Sequence, residues 1–98
     1  MAYLNKQQRD KLRDDLMKMK FNQAKGKLRH MDKKGRLVFY RNVQAVNQWV
    51  TRYELSGLGV QVTLIESQEY KDQDGSPRMK SDYDMIDVVV EATPENKT

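Results

Sequence analysis

The chain has no cysteine, which excludes disulfides and thiolate zinc sites. Its single histidine, His30, lies among lysines near a predicted helix end, with no cysteine nucleophile for it to serve. No apolar run approaches the roughly 20 residues of a membrane-spanning helix. The first residues, Met1 to Lys6, lack the apolar stretch of a secretory signal, so a cytoplasmic setting is expected. No glycine-rich loop stands between a strand and a helix to cradle phosphate. Catalysis and a cofactor are therefore not expected.

Positive charge is abundant but unevenly placed. Residues 1–36 hold 12 Lys/Arg against 4 Asp/Glu, a net of +8, and residues 37–98 hold 6 against 10, a net of −4. Such a basic segment suits an anionic partner, above all nucleic acid, although the solvated side of a helix has the same composition. The residues expected to meet phosphates are Lys11, Lys18, Lys20, Lys25, Lys27, Arg29, Lys33 and Lys34. Contacts of that kind bind without reading base sequence.

The clearest local pattern runs from Gln48 to Glu66. Trp49, Thr51, Tyr53 and Leu55 alternate along one arm, and Val60, Val62 and Leu64 along the other. The intervening Ser56-Gly57-Leu58-Gly59 has turn composition. A hairpin of this loop length pairs Leu55 with Val60, Tyr53 with Val62, Thr51 with Leu64 and Trp49 with Glu66. All the apolar partners then share one face, and a slip of one residue would reverse them. Val50, Arg52 and Glu54 fall on the opposite face. This register separates the aromatic Trp49 and Tyr53 from Arg52, which argues against a base-stacking surface built from those residues together with Tyr40 and Arg41.

Upstream, Asn5 and Gln8 have capping-box spacing ahead of a segment of good helix formers, Lys6 to Lys20. Leu12, Leu16 and Met19 form its apolar stripe. Asn22 suits the cap of a second short helix over 23–31, where Ala24, Leu28 and Met31 join Phe21. One bent helix satisfies the same pattern. Asp32 to Gly35 reads as a turn into a strand over 37–42, with Leu37, Phe39 and Arg41 on one face and Val38 and Tyr40 on the other.

Lys71 to Arg78 is a loop by composition. Its Asp72-Gln73-Asp74-Gly75 departs from a calcium loop, because glycine falls fourth instead of sixth and no glutamate ends the pattern. A last strand over 81–91 places Tyr83, Met85 and Val89 on one face and Ile86, Val88 and Val90 on the other. The tail 92–98 has no apolar anchor and is expected to be disordered.

These elements predict an α+β domain over residues 1–91, with an N-terminal helical segment packed on an antiparallel meander of about four strands. A small curled barrel plugged by the helix is the alternative. The functional expectation is a small binding module, RNA-directed through the basic segment. The alternative is a protein-interaction or assembly adaptor, homodimeric through a sheet edge or the Leu12/Leu16/Met19 stripe.

Overall fold

The computed structural model describes residues 3–43, 45, 48–67 and 85–98. Two helices, α1 (Lys6–Met17) and α2 (Phe21–Met31), precede strands β1 (Arg36–Val43), β2 (Gln48–Leu55), β3 (Val60–Ser67) and β4 (Met85–Ala92). The strands form one antiparallel sheet in the order β1-β2-β3-β4. The sheet is open, with β1 and β4 as its edges among the described residues, so the α+β arrangement holds and the barrel alternative does not.

Asn5 caps α1 as its spacing predicts. Its side chain accepts from the Gln8 N–H and the Gln8 side chain accepts from the Asn5 N–H, both at 2.9 Å. The helical segment is two helices. Lys20, in extended conformation, occupies the cap position of α2, and Asn22 lies inside the first turn instead of capping it.

Leu12 and Leu16 of α1 and Phe21, Ala24 and Leu28 of α2 pack on Tyr53, Leu55, Val60, Val62, Leu64 and Val88. Every strand member of that core lies on one face of the sheet. The helices thus cover a single face, and the Leu12/Leu16 part of the stripe is buried in the chain's own core instead of being offered to a partner.

The central hairpin has the register its alternation dictates: Leu55 opposite Val60, Tyr53 opposite Val62, Thr51 opposite Leu64, Trp49 opposite Glu66. A 3-10 turn at Ser56–Leu58 joins the arms, and Gly59 closes it with φ of 67°. A Cβ on Gly59 would lie 2.6 Å from the Tyr3 ring and 2.9 Å from Asn96, so close approach as well as backbone conformation calls for glycine here.

The edge strands break the simple alternation. Leu37 pairs with Tyr53 and Phe39 with Arg52, which makes Val38 an extra, bulged residue. From there Phe39 and Arg41 lie on the open face of the sheet. Leu37, Tyr40 and Asn42 lie on the helix-side face, so the expected grouping of Leu37 with Phe39 and Arg41 does not occur. Asp87 pairs with Ile65 and Met85 with Glu66, which makes Ile86 a second bulge. Met85 accordingly sits with Val88 and Val90 on the core side, separated from Val89. Residues 81–84 of the expected last strand, and the whole 71–78 loop with its acidic turn, lie outside the described residues.

The C-terminal residues differ from the expected disordered tail. Thr93 and Asn96 are buried. The Thr93 N–H donates to the Gly59 carbonyl at 2.9 Å. The Asn96 amide donates to the carbonyls of Leu4 at 2.9 Å and Gly59 at 2.8 Å. Arg9 closes the same junction by donating to the Leu4 and Thr98 carbonyls. Polar side chains hold this end of the chain, which is why the absence of an apolar anchor was misleading.

Candidate nucleic-acid interface

Between Leu16 and Arg36 the sequence carries eight Lys/Arg and a single acid, Asp32. α2 lies inside this interval and contains no acid; its last turn carries Arg29 and His30, where positive charge complements the helix dipole. Asp32 is engaged internally. Its carboxylate accepts the backbone N–H of Lys34 at 3.0 Å and of Gly57 at 3.1 Å, tying the helix–strand turn to the hairpin loop. The acid in this interval therefore faces the fold's own backbone.

Seven of the eight sequence-predicted cations are distributed around α2 and its flanking turns rather than gathered on one face, and Lys11 lies on α1. Lys18 and Lys20 stand at the corner between the helices, beside a hollow of about 340 Å³ lined also by Met17, Met19, Gln23 and Met85. Lys33 and Lys34 stand at the other end of α2, beside a hollow of about 360 Å³ lined by Met31, Asp32, Ser56 and Gly57. Lys25 and Arg29, four residues apart, share one flank of α2. The Lys25 ammonium lies 5.3 Å from the centre of the buried Phe21 ring. Arg29 lines a small hollow with Tyr53, Leu55 and Gly35, so this flank faces the start of β1. Lys27 lies on the opposite flank and shares the groove between the helices with Lys11, Gln8, Asp15 and Met31.

Lys11 differs from the others. Its ammonium pairs with Asp15 at 3.3 Å, one turn along α1. Arg13 of α1 is likewise engaged, with Asp14 at 3.5 Å and Asp87 at 3.3 Å. By contrast, Lys18, Lys27, Arg29, Lys33 and Lys34 take part in no ion pair among the described residues. The charge of α1 is thus largely balanced locally, and these five cations lie on α2 and in its two flanking turns. At 1.5 Å per residue, the 11 residues of α2 span about 16 Å. One duplex strand passes about five phosphates over that length.

The sheet brings together a second group that the sequence pattern hid. Phe39, Arg41 and Arg52 share the open face, with the Arg52 guanidinium 5.5 Å from the Phe39 ring centre and donating to the Thr63 hydroxyl at 3.2 Å. The bulge at Val38 moves Phe39 to this face, and a bulge leaves no clear mark in residue type. On the helix-side face, Tyr40 stacks on Trp49 with ring centres 4.7 Å apart and an interplanar angle of 18°. The expected separation of Trp49 and Tyr53 from Arg52 holds, but Phe39 takes an aromatic place beside the arginine.

His30 is exposed on α2. Among the described residues, no three His, Asp or Glu side chains gather as a metal ion would require. Among the same residues, no helix is long and apolar enough to cross a membrane. Comparison of the chain with protein-family models, with curated proteins and with solved structures finds no match in any of the three.

Proposed function

We propose that this chain is a small, non-catalytic RNA-binding module of the cytoplasm, in which α2 and its flanking turns neutralise phosphates. The observation that carries the reading is the imbalance over residues 16–36, eight cations against one acid whose carboxylate is bound by two backbone N–H groups. The cations lie around and at both ends of a short helix instead of forming a pocket. That arrangement suits a backbone-tracking contact and reads no bases. Support for a non-catalytic role comes from the carboxylates: Asp15 and Asp87 are held in ion pairs and Asp32 in backbone hydrogen bonds.

The test is binding of single-stranded and duplex RNA and DNA across a salt series. Lys18, Lys27, Arg29, Lys33 and Lys34 are replaced together by glutamine in a second preparation. Neutralising five phosphates on a single strand gives a log–log slope of about −3.5. The glutamine variant is expected to lose most of both affinity and slope while keeping its circular dichroism. Absence of binding at low salt, or an unchanged slope in the variant, would remove the reading.

A second reading, a protein-interaction adaptor, is favoured by a separate observation. The edge strand β1 exposes Leu37, Val38, Phe39 and Tyr40, at 52%, 39%, 39% and 47% of their accessible surface.

A further inference from the structure

Both helices pack on one face of the sheet. The other face is polarised across its width. On β1 and β2 it carries Arg36, Arg41 and Arg52 with one acid, Glu54, and on β4 it carries Asp87 and Glu91. Glu54 lies 3.9 Å from Arg36. Asp87 is drawn towards α1, where it pairs with Arg13 at 3.3 Å, and it also accepts the Val88 N–H at 2.8 Å. Arg41 and Arg52 take part in no ion pair among the described residues.

The register gathers these arginines round one aromatic ring. Phe39 stands opposite Arg52, and Arg41 opposite Val50, on neighbouring strands. The four side chains leave the same face, with Arg41 and Arg52 at diagonal positions about 7–8 Å apart. Two like charges at that spacing repel, and a phosphate between them would offset the repulsion. Arg52 is held in place: its Nε donates to the Thr63 hydroxyl at 3.2 Å, and its guanidinium lies 5.5 Å from the Phe39 ring centre. Phe39 still exposes 39% of its surface.

An aromatic ring with a planar guanidinium fixed against it offers two π-compatible surfaces to a flat ligand. A second arginine beside it offers charge for an anion attached to that ligand. An unpaired nucleobase with its phosphate has both parts. A duplex keeps its bases paired and presents phosphates alone to such a face, and an acidic peptide would satisfy the arginines while leaving the ring unmatched. The cations also run on from α2 to this face, because Lys33 and Lys34 lie in the turn that leads from α2 into Arg36 at the start of β1.

We infer that the β1–β2 half of the open sheet face is a stacking site for an unpaired nucleobase, with Phe39 and Arg52 against the base and Arg41 beside its phosphate. The inference rests on the RNA reading for the class of partner and adds a second surface to it. Stacking is tolerant of base identity, so the site confers preference for single strands without reading sequence.

The experiment titrates labelled probes into the full chain and follows their anisotropy: a uridine decamer, an abasic decamer with the same phosphates, and an RNA duplex of the same length. The uridine decamer is expected to bind about tenfold more tightly than the abasic one, as one stacked base would give. Phe39→Leu is expected to abolish that ratio while leaving abasic binding and the circular dichroism unchanged. Phe39→Tyr is expected to keep the ratio, because the phenol retains a π-face. Arg41→Gln is expected to lower the log–log salt slope for the single strands by about 0.7. Amide shift changes at Phe39, Arg41 and Arg52 are expected on addition of the uridine decamer. Equal binding of the two decamers by the parent, or an unchanged ratio in Phe39→Leu, overturns the proposal. A glutamate decapeptide that binds and is weakened tenfold by Phe39→Leu also overturns it, by assigning the face to a protein partner. The α2 glutamine variant separates the two readings. A retained decamer ratio with an unchanged slope in that variant removes the α2 reading alone, and a lost slope with equal decamer binding by the parent removes the stacking site alone.

Discussion

Replacement of Asn96 by alanine tests the docking of the C-terminal residues. The Asn96 amide donates to the Leu4 and Gly59 carbonyls, and its oxygen accepts from the Thr98 N–H at 3.0 Å. Each buried hydrogen bond contributes about 0.5–1.5 kcal/mol net. The two carbonyls retain other donors, Arg9 on Leu4 at 2.8 Å and the Thr93 N–H on Gly59 at 2.9 Å, so no acceptor is orphaned. The cost of Asn96→Ala is therefore placed at about 2 kcal/mol, near the middle of the range for two bonds. For a domain of this size that lowers Tm by about 8–16 °C. Thermal unfolding followed by circular dichroism reads it directly. Asn96→Asp is expected to be worse, because a carboxylate would then face two carbonyl oxygens. A Tm for Asn96→Ala within about 1 °C of the parent would refute the docking, since it would mean that two buried bonds contribute nothing.

Other perturbations probe separate parts of the fold. The buried Thr51 hydroxyl has no hydrogen-bond partner among the described residues, so Thr51→Val is expected to stabilise the chain by about 1–2 kcal/mol in urea unfolding; a loss would mean that the hydroxyl is satisfied. Gly59→Ala combines a left-handed backbone, costing about 1–2 kcal/mol, with contacts of 2.6 Å to Tyr3 and 2.9 Å to Asn96. A lowering of Tm larger than the backbone cost alone is expected; a neutral effect would place the loop elsewhere. Arg13 donates to the Val88 carbonyl of β4 at 3.2 Å and to Asp87 at 3.3 Å, so Arg13→Ala uncovers this edge strand, and a concentration-dependent mass in analytical ultracentrifugation is expected where the parent shows less. An unchanged mass would show that Arg13 does not protect this edge.

The functional readings follow from how the fold distributes charge. α1 and α2 are both rich in lysine and arginine, and composition alone treats residues 1–36 as one basic block. The folded chain divides that block. Lys11 and Arg13 find Asp15 and Asp87, and Arg9 holds the chain ends together. Lys18, Lys27, Arg29, Lys33 and Lys34, which have no ion pair among the described residues, lie on α2 and its flanking turns. A partner of the basic segment would therefore be met by the second helix far more than by the first.

Local patterns in the chain carried a good part of the architecture. The central hairpin was legible because its two arms alternate strictly, and burial of one face leaves a single acceptable register. The capping box was legible because it depends on two residues three apart. The strand faces of β1 and β4 were not legible, because an edge strand admits an extra residue wherever its ladder has no neighbour on one side. Val38 and Ile86 carry no residue-type signal of a bulge. The anchoring of Asn96 was hidden for a different reason: its partners, the Leu4 and Gly59 carbonyls, are 92 and 37 residues away, and a buried polar side chain looks in sequence like an exposed one. The sequence by itself determined the element types, the hairpin register and the concentration of positive charge. Only the tertiary structure decided which cations find an acidic partner, which residues share the faces of the edge strands and how the C-terminal residues are held, because each of these depends on neighbours that the chain brings together only by folding.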